Sequence, residues 1–166
     1  MRNTKVIAAF PACGKSYCFE RNNDYIILDS DSSRFSWVYP DGLATKYRNP
    51  DFPKNYIEHI KENIGKVDFI FVSTHEEVRR AMADAGIDYI LVFPSETLKA
   101  EWVGRCFLRG SGEQFCKMLV ENWDTWLSQM WDEAICNNRR YYLLKSNEYI
   151  SDIIERFGGN YYGEAL

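Results

Sequence analysis

The chain has 166 residues, with 20 Lys and Arg against 24 Asp and Glu, a formal net charge of −4. This is one domain's length with room for a single core, and the acidic balance excludes the broad basic surface that holds a phosphate polymer. Hydrophobic residues at 46% and charged residues at 27% exclude a disordered chain, and aromatic residues at 16% are in clear excess.

Residues 5–10 (KVIAAF) read as a buried strand, too short for a secretion signal or a membrane span. No other stretch approaches the roughly 18 apolar residues that a span needs. Residues 15–22 open a helix, and residues 24–28 (DYIIL) form a second strand ending at Asp29. Residues 30–53 carry Pro40, Gly42, Pro50 and Pro53 and read as irregular. A helix follows over 53–64, with Pro53 in its first turn, Ile57, Ile60 and Ile64 on one face, and Gly65 closing it. Residues 67–72 (VDFIFV) form the third strand, and 75–85 a helix closed by Gly86. Residues 88–93 (DYILVF) are the fourth strand, stopped by Pro94. Helices follow over 95–109 and 113–136, then a strand over 141–144 (YYLL) and a last helix over 147–157 before Gly158 and Gly159.

Continuous apolar runs separated by helices indicate parallel strands covered on both faces. The expectation is one three-layer α/β domain over residues 1–166 with five parallel strands. Trp123, Trp126, Leu127, Met130 and Trp131 recur at three-and-four spacing, which suits a core face or a dimer seam and leaves the oligomeric state open. Arg79-Arg80 and Arg139-Arg140 read as solvated basic pairs. The cysteines (Cys13, Cys18, Cys106, Cys116, Cys136) are odd in number with no CxxC pair, so neither a disulfide framework nor a zinc site is signalled. A reduced, cytoplasmic compartment follows as the expected location.

One motif stands out. Ala9-Phe10-Pro11-Ala12-Cys13-Gly14-Lys15-Ser16 leaves the first strand and opens the first helix. It resembles the Walker A loop, GxxxxGK[ST]. That resemblance implies a cradle for phosphates formed by Ala12, Cys13, Gly14, Lys15, Ser16 and Tyr17, with Lys15 on the β- and γ-phosphates and Ser16 on Mg2+. Ala9 and Ala12 stand where glycines are common, at some loss of backbone freedom. Cys13 reads as a packing residue, although a helix N-terminus can activate a thiol.

The second strand runs into Asp29-Ser30-Asp31. Ligands bind beyond the carboxyl ends of parallel strands, so these acids stand where an acceptor meets a nucleotide. Asp and Ser also serve as caps and turns. A phosphate loop followed by a strand and DxD resembles the nucleoside monophosphate kinase superfamily of P-loop kinases, which includes nucleotide, shikimate, gluconate and polynucleotide kinases. The resemblance implies the P-loop NTPase fold with strand order 2-3-1-4-5, and ATP with Mg2+ as cofactors. It assigns Asp29 to the metal and Asp31 to the acceptor.

It also implies an acceptor-binding insert over about 30–65 and a lid over about 95–115. In the insert, Arg34, Trp37 and Arg48 stand with Phe35, Tyr39, Tyr47, Phe52 and Tyr56, a mixture suited to a planar base with an attached phosphate. In the lid, Arg105 and Arg109 are four apart and share a helix face, as charge-neutralising arginines should, or as a solvated basic face does. Ser73, Thr74 and His75 fall at the same edge of the sheet, to touch ligand or to cap the next helix. The third strand lacks a terminal acid, since Asp68 lies at its start, which disfavours motor and switch ATPases. The expected function is transfer of the γ-phosphoryl of ATP to a small acceptor, a nucleoside or nucleotide, with no membrane partner. A polynucleotide 5′-end kinase and a non-catalytic nucleotide-binding regulator are the alternatives, and ATP against GTP stays open.

Overall fold

The computed structural model describes residues 1–38 and 47–158. Five strands, β1 (Lys5–Ala9), β2 (Ile27–Asp29), β3 (Phe69–Val72), β4 (Ile90–Pro94) and β5 (Tyr141–Leu144), form one all-parallel sheet in the order β2-β3-β1-β4-β5. The helices are α1 (Lys15–Arg21), α2 (Ser33–Ser36), α3 (Lys54–Asn63), α4 (Glu76–Asp84), α5 (Lys99–Leu108), α6 (Glu113–Cys136) and α7 (Ile150–Gly158). They flank the sheet, with α1 packed beside α7, α3 beside α4, and α5 beside α6. The expected α/β layout and strand order are those observed.

The apolar runs explain the sheet. β1 lies between β3 and β4, with Ile7 opposite both Phe71 and Ile90, and Val6 to Ala9 are buried. A strand covered on both faces and both edges has no place for a polar side chain. The long helix α6 lays Leu119, Trp123, Leu127 and Met130 into the core, and Trp123 meets Phe10 edge-on at 5.7 Å. Its tryptophan face is therefore core packing within the chain. No described helix is long and apolar enough to cross a membrane.

Several boundaries differ from the expectation, each for a local reason. β2 starts at Ile27 rather than residue 24, because the Asn22 carboxamide accepts the amides of Asp24 and Tyr25 and Asp68 accepts that of Ile26. The last helix starts at Ile150 rather than 147: Asn147 is left-handed at φ +58, and Asp152 accepts the Tyr149 amide at the helix start. Pro94 ends β4 instead of following it, which is tolerated because β1 already stops opposite Val92. Residues 96–98 form a separate 3-10 turn before α5. The stretch expected to be irregular contains α2 and an antiparallel bridge between Trp37 and Arg48. Tyr39, Pro40 and Gly42 lie outside the described residues.

Arg79 corrects the reading of the basic pairs. Its side chain is buried, paired with Glu133 of α6, while Tyr89 donates its hydroxyl to the same carboxylate. Arg79 Nε also donates to the Thr74 carbonyl at 3.0 Å. Arg80 is exposed and pairs with Glu76, and Arg139 and Arg140 both meet Asp88.

Candidate functional site

The site forms where β2, β3 and β1 end side by side. The β1–α1 loop leaves the sheet at Phe10, whose amide donates to Val92 O at 2.8 Å. It then makes two left-handed turns, at Ala12 with φ +61 and at Gly14 with φ +86. Gly14 suits that region without strain, whereas Ala12 costs about 1–2 kcal/mol there. A Cβ on Gly14 would meet the Tyr149 ring at 3.1 Å, so close approach as well as φ selects glycine at this position.

Lys15 Nζ reaches back across the loop to the carbonyl oxygens of Ala9 (2.9 Å) and Phe10 (3.5 Å). Burial pushes its ammonium below the ordinary range, against the opposing carboxylate fields of Asp29 and Asp31. Ser16, the next residue, donates its hydroxyl to Asp29 Oδ2 at 2.7 Å. The end of β2 and the start of α1 thus share a serine oxygen and a carboxylate, donor types suited to a hard divalent cation. Among the described residues, no three His, Cys, Asp or Glu side chains gather into a metal centre. Asp31 is exposed two residues further on, its Oδ1 accepting the Ser33 amide at 2.9 Å. It therefore shapes the turn into α2 while its charge reaches Lys15.

Cys13 is fully buried, and burial pushes its thiol up to about 12. It is inert packing and not a nucleophile. Tyr17 is exposed on α1, with Arg21 over its ring at 4.8 Å.

The two expected lid arginines part company. Arg105 is 9% exposed and fully engaged. Its Nε and Nη2 donate to Glu101 Oε1 at 3.1 and 2.6 Å, and its Nη1 to Glu148 O at 3.0 Å. Its guanidinium lies 3.9 Å from the Trp102 ring centre and 4.0 Å from that of Tyr149. Arg109 is exposed beyond α5, donates to Ser111 Oγ at 2.6 Å, and sends its field to Lys15 and Cys13.

Arg34 is exposed on α2. Arg48 lies over Trp37 and Phe52 (5.5 and 5.1 Å) and pairs with Glu77 at 2.8 Å. Phe35 and Phe52 each pack on the Tyr56 ring, and the Tyr56 hydroxyl donates to Ser30 O at 2.7 Å.

Sequence reasoning missed the residues that brace the loop. Trp102 is fully buried and donates Nε1–H to Pro11 O at 2.8 Å. Glu101 accepts from Ser146 Oγ (2.8 Å) and the Asn147 amide (2.9 Å), and the Ile150 amide donates to Cys13 O at 3.0 Å. The Glu101–Arg105 spacing of four was a legible ion-pair signal; nothing local marked Tyr149. No family model matches this chain, and no curated protein is similar to it.

Proposed function

We propose that the chain is a P-loop phosphotransferase that moves the γ-phosphoryl of ATP to a small acceptor, a nucleoside or nucleotide. The observation that carries this reading is the Ser16–Asp29 contact at 2.7 Å, set directly beside Lys15 and a loop turned by left-handed Ala12 and Gly14. Left-handed residues two apart let the loop curl so that its amides can face an anion, as in a backbone nest. Ser16 and Asp29 are the residues to hold Mg2+, which when bound draws charge from the β- and γ-phosphoryl oxygens.

The chain's own groups do the rest by position and charge. Lys15 meets the bridging phosphates, and a partly desolvated ammonium acts strongly there. Arg109, exposed and within electrostatic reach of Lys15, neutralises charge on the transferring group. Asp31 orients the acceptor oxygen for in-line displacement. Arg105 supports the loop through Trp102, which donates to Pro11 O, and through Tyr149.

Calorimetric titration with ATP and Mg2+ tests the donor site. The wild type should bind, and Lys15→Ala should weaken binding at least about tenfold, equivalent to about 1.4 kcal/mol. Equal binding by wild type and Lys15→Ala rejects the reading.

A further inference from the structure

The sheet order sets the end of β3 between the end of β2, which leads to Asp31, and the end of β1, which leads to Lys15. His75 occupies that middle position, just beyond β3 and at the N-cap of α4. It is exposed, and its side chain makes no capping hydrogen bond to α4. The charged groups that face it are Arg48 from the segment after the Trp37 bridge, Lys15 from α1, Asp31 from the turn into α2, and Glu77 from α4 itself. Arg48 is already paired with Glu77 at 2.8 Å.

Partial desolvation, then the Arg48 and Lys15 charges, hold the imidazole below its ordinary range. At neutral pH it is uncharged and keeps one unprotonated nitrogen. The end of β3 and the turn into α2 thus present a neutral imidazole and the carboxylate of Asp31 on one edge of the sheet. The imidazole can take a proton, the carboxylate can hold a hydroxyl by accepting its hydrogen bond, and the Arg48 cation beside them is held in its pair with Glu77.

Resting on the phosphotransferase reading above, we propose that His75 is a catalytic residue that accepts the proton of the acceptor, and that the acceptor reacts through a hydroxyl group. A hydroxyl has a proton to give, whereas a phosphate dianion has none. The bond from the acceptor oxygen to the γ-phosphorus forms as the phosphorus–oxygen bond to ADP breaks. The hydroxyl proton passes to the free ring nitrogen of His75 and from there to solvent, while Asp31 orients the hydroxyl and stabilises the imidazolium. The nucleoside, rather than its monophosphate, is then the class of acceptor.

The test compares wild type, His75→Gln and His75→Ala for transfer of label from ATP to nucleosides and to mononucleotides across pH 5–9, with calorimetric ATP binding and thermal melting alongside. Wild type should label nucleosides. His75→Gln should lose about 100-fold or more in kcat, the scale of a general base, with ATP affinity and melting unchanged. The wild-type fall in kcat on the acid side should disappear in the variant. Transfer to mononucleotides alone, or a His75→Gln enzyme within threefold of wild type with the acid limb intact, overturns the proposal. Wild type that binds ATP yet labels neither class overturns the phosphotransferase reading itself, and this proposal with it.

Discussion

Arg105 is where two uses of one side chain predict different numbers. As a lid arginine it would contribute to transfer and little to stability. In the structure its guanidinium makes three hydrogen bonds and lies between two aromatic rings. Hydrogen bonds to charged groups contribute about 1.5–3 kcal/mol and a desolvated cation–π contact up to about 2 kcal/mol. These do not add in full, because one group makes them all and Glu101 keeps Ser146 and Asn147 as partners when the guanidinium is gone. Arg105→Met also refills much of the volume. The net cost is about 3 kcal/mol, or a fall of roughly 6–12 °C in Tm for a domain of this size. Thermal unfolding by circular dichroism reads it directly. Arg105→Lys, which keeps the charge and loses the fork, should fall between. Arg109→Ala should melt like the wild type and lose transfer. An Arg105→Met protein that melts within about 2 °C of wild type but no longer transfers phosphoryl would refute the clamp and restore the catalytic assignment.

Ala12 at φ +61 accepts glycine and rejects β-branching: Ala12→Val should cost about 1–3 kcal/mol in urea unfolding and Ala12→Gly nothing or less. Burial pushes the thiols of Cys13 and Cys18 up to about 12 and about 11 from the ordinary 9.0, so the unfolded chain gives up these protons first. Their contribution to stability is whole below pH 9 and is lost as pH rises through 11 to 12, which urea midpoints measured across that window should show. Arg79→Met strands the half-buried Glu133 carboxylate and should destabilise by about 3 kcal/mol, with the double variant Arg79→Met/Glu133→Gln recovering part of it.

The features carried by contiguous residues were legible. The runs KVIAAF and YYLL became β1 and β5, and the GKS motif sits at the end of β1 and the start of α1. The Ser16–Asp29 contact joins residues 13 apart whose strand-end and loop positions were both readable. What hid from the sequence depends on distant partners. Helical spacing placed Arg105 and Arg109 on one face, but the Glu148 carbonyl and Tyr149 ring that enclose Arg105 come from a loop more than 40 residues later. Arg79 looked like one of a solvated pair because Glu133 lies 54 residues away on α6. The start of β2 was misjudged because side chains of Asn22 and Asp68 claim backbone amides that a strand would use. His75 was placed at the right edge by its position after β3, while the charges converging on it come from four separate segments.

The most direct test of the central claim is ADP release from ATP and Mg2+ with and without nucleosides, for wild type, Lys15→Ala and Asp29→Asn. Acceptor-dependent release by the wild type, falling by about 100-fold or more in both variants, is the predicted result. A Lys15→Ala protein that releases ADP at the wild-type rate, or a wild type that binds ATP and releases none with any acceptor, would contradict it.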